Sequence, residues 1–176
     1  MGLVLAWSGR WMKRQAAPEN ETFARRVGEA LAARGLWLAT AESCTGGWIA
    51  EAVTAIAGSS GWFDRGFVTY SNAAKADMLG VRDDTLESHG AVSEATVGEM
   101  AAGALARSRA DLAVAVSGIA GPGGGSAVKP VGTVCIGWAR RDASISTTTV
   151  QLPGDRAAVR RQTVLLALQG VLERCA

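Results

Sequence analysis

The sequence of 176 residues is poor in the residue types on which metal sites and disulfide frameworks depend. A single histidine, His89, excludes a histidine-rich metal site. The three cysteines, Cys44, Cys135 and Cys175, are an odd number at irregular spacing with no Cys-x-x-Cys pair, which does not fit a disulfide framework. We therefore expect a reduced, cytoplasmic protein.

Excess charge and long apolar runs are also absent, and this excludes two further classes of protein. Lysine and arginine number 18 against 16 aspartates and glutamates, and a net charge of +2 is too small for a nucleic-acid surface. The apolar stretch at residues 3–7 is too short to span a membrane. Lys13 and Arg14 follow this stretch, whereas the charges of a signal peptide precede its apolar run. We expect neither a nucleic acid nor a membrane among the partners.

The chain has the length and composition of one globular domain. Domains span about 100–200 residues, and here 48% of the residues are hydrophobic and 19% are charged. We expect residues 18–176 to form this domain and residues 1–17 to be a poorly ordered extension, or the result of a start codon assigned too early. Trp7 and Trp11 would share one helical face, so a small docking segment is the alternative.

Helical and strand patterns alternate along the domain. Apolar residues at helical spacing predict helices over 18–34, 48–56, 73–79, and after Ser93 and Asp155. Apolar runs predict strands over 36–42, 67–70, 112–116, 131–139 and 143–152. The last two strands are joined by a tight turn and should pair antiparallel. This order predicts an α/β fold, a three-layer α/β/α sandwich with a mixed, mostly parallel sheet.

Small polar residues follow three of the predicted strands, in segments 43–47, 70–75 and 117–126. In sheets of this kind the ligand binds beyond the carboxyl ends of the parallel strands. The three segments should therefore meet, and they are the strongest physical indication of a site.

Ser43 and Lys75 are candidates for catalysis. Ser43 precedes Thr45-Gly46-Gly47 and a helix, where free backbone N–H groups could stabilise an oxyanion. From the local pattern alone, a helix-capping role for Ser43 is the safer interpretation. A serine nucleophile needs a base, and His89 lies in a predicted surface turn. Lys75 is the better candidate if burial lowers its pKa, and a solvated surface charge is the alternative.

Cys44 and the glycine-rich segment 121–126 leave further alternatives open. A cysteine at a helix N-terminus can be a nucleophile, although a lone cysteine beside a core strand is more often simply buried. Segment 121–126 could cradle a phosphate or ribose, but it lacks the ending of a P-loop and could be a flexible loop. Lys129 and Arg156 are the cations that an anionic ligand could use.

Seven blocks occur in order along the chain. They are TAESCTGG at 40–47, GSS at 58–60, GFVTYSN at 66–72 with Lys75, GAVS at 90–93, SGIAGPGG at 117–124, KPVGT at 129–133 and PGDR at 153–156. Over residues 20 to about 172 the chain resembles the CinA C-terminal-domain family, the nicotinamide-nucleotide amidases. So many ordered blocks make the resemblance highly specific.

The resemblance implies an amidohydrolase that converts nicotinamide mononucleotide to nicotinate mononucleotide and ammonia, in pyridine nucleotide salvage, with no metal or other cofactor. It implies Ser43 as the nucleophile, Lys75 as its base and Tyr70 as a residue that positions Lys75 or the substrate. The residues it places at the substrate are Thr45, Gly46, Gly47, Asn72, Ser117, Gly118, Gly121, Gly123 and Arg156.

Two further expectations accompany the resemblance. A homo-oligomer, most simply a homodimer, is expected, partly because six tryptophans are more than a small core needs. A non-catalytic nucleotide-binding module in a competence or stress pathway is the alternative function. The two functions differ in whether Ser43 and Lys75 are needed beyond binding, and the intact pair favours the enzyme.

Overall fold

A computed structural model describes residues 19–175, which form a five-stranded sheet covered by helices on both faces. The elements in chain order are α1 (Glu19–Arg34), β1 (Leu38–Glu42), α2 (Trp48–Thr54), a short 3₁₀ helix (Ser59–Gly61), β2 (Phe63–Val68), α3 (Asn72–Leu79), α4 (Asp83–His89), α5 (Glu94–Ala106), β3 (Leu112–Gly118), β4 (Thr133–Arg140), β5 (Ser146–Gln151) and α6 (Arg156–Arg174). The predicted α/β class is confirmed. The predicted extension at 1–17 lies outside the described residues. Within residues 19–175, no helix has the length and apolar character to cross a bilayer.

The order of strands across the sheet is β2-β1-β3-β4-β5. Strand β1 pairs parallel with both β2 and β3, while β4 runs antiparallel to β3 and β5. Only β4 therefore opposes the direction of the other four strands, and the predicted mixed, mostly parallel sheet is confirmed. Because β1, β2 and β3 run the same way, their carboxyl ends meet at one edge of the sheet.

The two faces of the sheet carry side chains of different size. Large side chains pack against α1, α2 and α6, and they are Leu38, Leu112, Val114, Val116, Ile136 and Trp138. Mostly alanines face α3, α4 and α5, with Ala39, Ala41, Ala113, Ala115, Cys135 and Ala139 on that side. Helix α5 consequently lies very close to the sheet: a Cβ atom at Gly137 would stand 2.7 Å from the carbonyl oxygen of Val97.

Strand β2 differs from its prediction at both ends. It begins at Phe63 rather than at residue 67, and it ends at Val68, so Thr69 and Tyr70 lie beyond it. The first half of β2 contains Asp64 and Arg65, whose charges break the apolar pattern. Charged residues are common in a strand at the edge of a sheet, which is where β2 lies.

Helix α4 was absent from the prediction, which placed a surface turn around His89. His89 is instead the last residue of α4, and Gly90 follows it. The start of the helix is tied to α5, because the Arg82 Nε and the Thr85 hydroxyl both donate to the Glu99 carboxylate, at 3.0 and 2.7 Å. These contacts join residues distant in sequence, and the local pattern does not show them.

We expect Gly137→Ala to lower the free energy of unfolding by about 1–3 kcal/mol, the usual penalty for overpacking a core. The added methyl group would collide with the Val97 carbonyl of α5. Gly61→Ala is the matched control, because a Cβ atom there meets nothing within 4 Å. Urea unfolding of both variants measures the difference, and equal midpoints would show that α5 can move away without penalty.

Candidate active site

A cavity of about 240 Å³ opens where the parallel strands end. Its lining residues are Ser43, Cys44, Tyr70, Asn72, Lys75, Ala91, Val92, Ser117, Gly118, Ala120 and Arg156. Residues from all three of the polar segments found in the sequence are among them. The structure thus brings together the ends of β1, β2 and β3, as the topology requires.

The amino group of Lys75 lies against the hydroxyl of Ser43. Lys75 Nζ is 3.1 Å from Ser43 Oγ and donates to the carbonyl oxygen of Thr69 at 2.9 Å. Lys75 is 1% exposed and Ser43 is 8% exposed. Ser71 fixes the start of α3, because its side chain accepts a hydrogen bond from the Ala74 amide, and the next residue is Lys75. The cap therefore helps to set the position from which Lys75 reaches Ser43.

Burial lowers the pKa of Lys75 below the 10.5 of an ordinary lysine, because the ammonium form loses hydration. No carboxylate among residues 19–175 forms an ion pair with Lys75 that would hold its proton. The Cys44 thiol acts in the opposite direction as a neighbouring negative charge, but only if it ionises. Burial raises the pKa of that thiol to about 11, so Cys44 stays neutral at neutral pH.

The same pKa decides between Ser43 and Cys44 as nucleophiles. A cysteine attacks as its thiolate, and a thiol with a pKa of about 11 is almost fully protonated at neutral pH. Cys44 is also 6% exposed, and no hydrogen bond joins its thiol to Lys75. The geometry therefore favours Ser43, which has a basic group within hydrogen-bond distance.

The five residues 43–47 form a turn, here called the nucleophile turn, and Glu42 holds it from inside the fold. The Glu42 carboxylate is 1% exposed and accepts the Thr45 hydroxyl at 2.6 Å. It also accepts three amides at the start of α2, those of Gly47, Ile49 and Ala50, at 3.1, 2.9 and 2.8 Å. Glu42 was not among the predicted site residues, because it is the last residue of β1 and lies six residues before the first residue of α2.

The resemblance places Thr45, Gly46 and Gly47 at the substrate, but each of them makes a hydrogen bond within the turn or to Glu42. The Thr45 hydroxyl donates to Glu42. The Gly46 amide donates to the Ser43 carbonyl at 3.1 Å, and the Gly47 amide donates to Glu42. None of the three residues lines the cavity. Among the described residues, the amides of Cys44 and Thr45 have no carbonyl or carboxylate acceptor, so they are the donors that remain beside Ser43.

Arg156 and Tyr70 form the other side of the cavity. Arg156 donates to the Gly121 carbonyl oxygen at 2.8 Å and to the Tyr70 hydroxyl at 3.3 Å. Ser117 lines the cavity although it is only 1% exposed, and Asn72 lines it from the start of α3. Of the nine predicted substrate residues, four line this cavity, namely Asn72, Ser117, Gly118 and Arg156.

Three other predicted ligand residues lie outside the cavity lining. Gly121 is buried and contributes only the carbonyl oxygen that accepts the hydrogen bond from Arg156. Gly123 is exposed in the glycine-rich segment and does not line the cavity. The Lys129 amino group donates to the His89 carbonyl oxygen at the end of α4, at 2.9 Å. Within the described part of the chain, the basic residues that line the cavity are therefore Lys75 and Arg156.

Comparison with known proteins agrees with the blocks found in the sequence. The family model of the CinA C-terminal domain matches residues 20–175. A curated relative, the nicotinamide-nucleotide amidohydrolase PncC of Enterobacter agglomerans, is 61% identical over 146 residues, which are 83% of this chain and 89% of that protein. The protein of the same name from Escherichia coli K12 is 61% identical over 144 residues, covering 82% and 87%.

A solved structure shows the same fold. The crystal structure of the competence/damage inducible protein CihA from Agrobacterium tumefaciens superposes with a TM-score of 0.87 at 51% sequence identity, over 89% of this chain and 95% of that chain. The family model, the relatives and the fold therefore agree, and the resemblance is confirmed: the chain belongs to the CinA C-terminal domain family.

Proposed function

We propose that this protein hydrolyses the carboxamide of nicotinamide mononucleotide, giving nicotinate mononucleotide and ammonia, with Ser43 as nucleophile and Lys75 as general base. The observation that carries the proposal is the 3.1 Å contact between Lys75 Nζ and Ser43 Oγ inside a cavity. Relatives that are 61% identical and cover most of the chain are named nicotinamide-nucleotide amidohydrolases, which supports the choice of substrate.

The hydrogen bonds of Lys75 suit a neutral amine. Such an amine has two N–H bonds and one lone pair. The two N–H bonds can serve the carbonyl oxygens of Thr69 and Tyr70, at 2.9 and 3.5 Å. The lone pair is then available for the Ser43 hydroxyl hydrogen, and the lowered pKa of Lys75 favours this neutral form.

In the first half of the reaction, Ser43 Oγ attacks the carboxamide carbon while Lys75 accepts the hydroxyl proton. The tetrahedral oxyanion needs hydrogen-bond donors, and the nearest along the chain are the amides of Cys44 and Thr45, neither of which donates to a backbone carbonyl within residues 19–175. One such donor commonly contributes about 3–4 kcal/mol to transition-state stabilisation. Lys75 then gives its proton to the departing ammonia, and an ester with Ser43 remains.

In the second half, water attacks this ester with Lys75 again as the base. The proton that Lys75 takes from water returns to Ser43 Oγ as the ester breaks. Nicotinate mononucleotide leaves and the free serine is restored. The positive charge of the substrate's pyridinium ring helps to keep Lys75 neutral before each attack, because like charges disfavour protonation.

The cavity is slightly smaller than most ligand sites, which measure about 300–1,000 Å³. It therefore suits the pyridine ring and its carboxamide, while the ribose and phosphate extend toward the mouth. Arg156 lines the cavity and is exposed, so it is the cation available to the phosphate. Its hydrogen bonds to Gly121 and Tyr70 hold the guanidinium in place for this role.

The homo-oligomer stays a prediction from the sequence. Of the four tryptophans in the described residues, Trp62 and Trp138 are buried, and Trp37 and Trp48 lie beneath arginine guanidinium groups. Each of these four rings thus packs within the chain, and Trp37 and Trp48 keep part of their surface exposed. The cytoplasmic setting also stays a prediction, with which the three free cysteines agree.

We expect Ser43→Ala to reduce ammonia release from nicotinamide mononucleotide by at least about 1,000-fold, the scale on which serine enzymes respond to loss of the nucleophile. Cys44→Ala is the matched control and should keep near wild-type activity, because its thiol is protonated. Calorimetry should show that Ser43→Ala still binds the nucleotide. Binding by a wild-type protein that releases no ammonia would favour the non-catalytic module instead.

We expect Lys75→Arg to be as inactive as Ser43→Ala, because arginine keeps the charge but does not deprotonate. For the wild type, kcat/KM should rise with pH through an acid limb that lies below 10.5, as Lys75 loses its proton. Steady-state kinetics across pH measure both effects. An active Lys75→Arg enzyme would remove Lys75 from the role of base.

Burial of Lys75 also predicts a pH-dependent stability. The folded pKa lies below the unfolded value of 10.5, so between these two values the unfolded chain binds more protons. Stability therefore rises with pH over this interval, by at most about 1.4 kcal/mol per pH unit for one group. Below the folded pKa, Lys75 is protonated in both states, and the full free-energy penalty of burying its charge is present.

Lys75→Met removes this penalty, so its advantage in free energy of unfolding over the wild type should shrink as pH rises toward 10.5. Lys129→Met is the control, because Lys129 is partly exposed. Denaturant unfolding at several pH values provides the comparison. If the difference in free energy of unfolding between Lys75→Met and wild type did not change with pH, Lys75 would have the same pKa in the folded and the unfolded chain.

A further inference from the structure

Arg160 of α6 holds the nucleophile turn through backbone carbonyl groups, whereas Glu42 holds it through amides. The Arg160 Nε donates to the Cys44 carbonyl oxygen at 3.1 Å, and its Nη2 donates to the Thr45 carbonyl oxygen at 2.7 Å. Neither Arg160 nor Glu42 lines the cavity. Two charged side chains therefore fix the backbone next to Ser43 without reaching the space in which the substrate would lie.

The guanidinium of Arg160 is itself held in place. It lies over the ring of Trp48, with 5.3 Å between its central carbon and the ring centroid. The start of α6 is fixed by Asp155, whose side chain accepts the Ala158 amide at 2.8 Å. A planar guanidinium with two bonds to adjacent carbonyl groups sets their direction as well as their distance.

The direction of these carbonyl groups determines where the neighbouring amides point. In a trans peptide unit the C=O and N–H bonds point to opposite sides, and the peptide units of this turn are trans. Because the Cys44 carbonyl points to Arg160, the Thr45 N–H points away from Arg160. Likewise the Thr45 carbonyl faces Arg160, and the Gly46 N–H turns back to the Ser43 carbonyl.

We propose that Arg160 is a positioning residue for the reaction, which orients the Thr45 amide and holds Ser43 at its distance from Lys75. This inference rests on the proposed function, since it assigns to Arg160 the alignment of the oxyanion donors. Arg156, one helical turn earlier, holds the opposite wall through Gly121. The first turns of α6 thus fix both sides of the cavity.

The test compares Arg160→Lys with Arg161→Lys. Lysine keeps the positive charge at residue 160 but lacks the fork that binds two carbonyl groups. We expect kcat for ammonia release to fall about 10–100-fold, since a displacement of about 1 Å in a catalytic site can reduce the rate 100-fold. The KM should change less than about 3-fold, and the acid limb of the pH profile should stay in place, because Lys75 is untouched.

Arg161→Lys is the matched control, because Arg161 is the next residue on the same helix, is exposed, and lies outside the cavity lining. It should behave as the wild type. Thermal unfolding establishes that both variants fold, and Arg160→Gln, which can donate to one of the two carbonyl groups, provides a second variant if Arg160→Lys is unstable. A kcat for both residue-160 variants equal to that of Arg161→Lys would overturn the proposal. An increase in KM alone would also overturn it, since Arg160 would then be a substrate contact.

A second readout separates this inference from the choice of substrate. A fluorophosphonate probe reacts covalently with an activated serine and forms a tetrahedral adduct that needs the same donors, and mass spectrometry measures its rate of attachment to Ser43. Arg160→Lys should slow this attachment by about the same factor as kcat. If the wild type releases no ammonia yet Arg160→Lys still slows attachment, the proposed substrate is wrong and the positioning role stands. If attachment is equally fast in both, the positioning role is wrong.

Discussion

The burial of one amine without a carboxylate partner is the constraint around which the site is built. A buried charge without a partner is strongly unfavourable, so Lys75 is pushed toward its neutral form. Neutral or charged, its N–H groups still need acceptors, and the carbonyl oxygens of Thr69 and Tyr70 supply them. These carbonyls are available because β2 ends at Val68, while the Thr69 amide stays tied to the Glu42 carbonyl of β1 at 2.8 Å.

The alanine face of the sheet connects this constraint to the rest of the fold. Small side chains on β1, β3 and β4 let α5 lie close to the sheet, and α3 packs against α5. Gly103 of α5 faces the Leu79 carbonyl at the end of α3, where a Cβ atom would have no room. Small residues far from the cavity therefore set the distance between α3 and α5. This distance in turn sets the position from which Lys75 contacts Ser43.

Much of the fold could be predicted from the sequence, because its patterns are local. The roles of Ser43 and Lys75 rested on the resemblance instead, since a helix cap was the safer local interpretation of Ser43. Apolar runs located the strands, and the polar residues that follow them had to meet once the strands were parallel. Glu42 and Arg160 were missed for a different reason. Three arginines lie in the first turns of α6, at 156, 160 and 161, and only the packing of α6 against α2 shows that Arg160 faces the turn. The contact between Glu42 and the Gly47 amide spans only five residues, but the sequence does not show the direction in which a side chain turns at the end of a strand.

The contact between Arg160 and the nucleophile turn has a consequence for the timing of synthesis. It joins residues 116 positions apart, and α6 follows every other element of the site in the chain. At about 5–20 residues per second, the ribosome needs roughly 6–23 s to proceed from Cys44 to Arg160. During that interval the nascent chain holds Ser43, and later Lys75, without the arginines that fix either wall of the cavity. The site is therefore completed only by the docking of α6, after the sheet has been made.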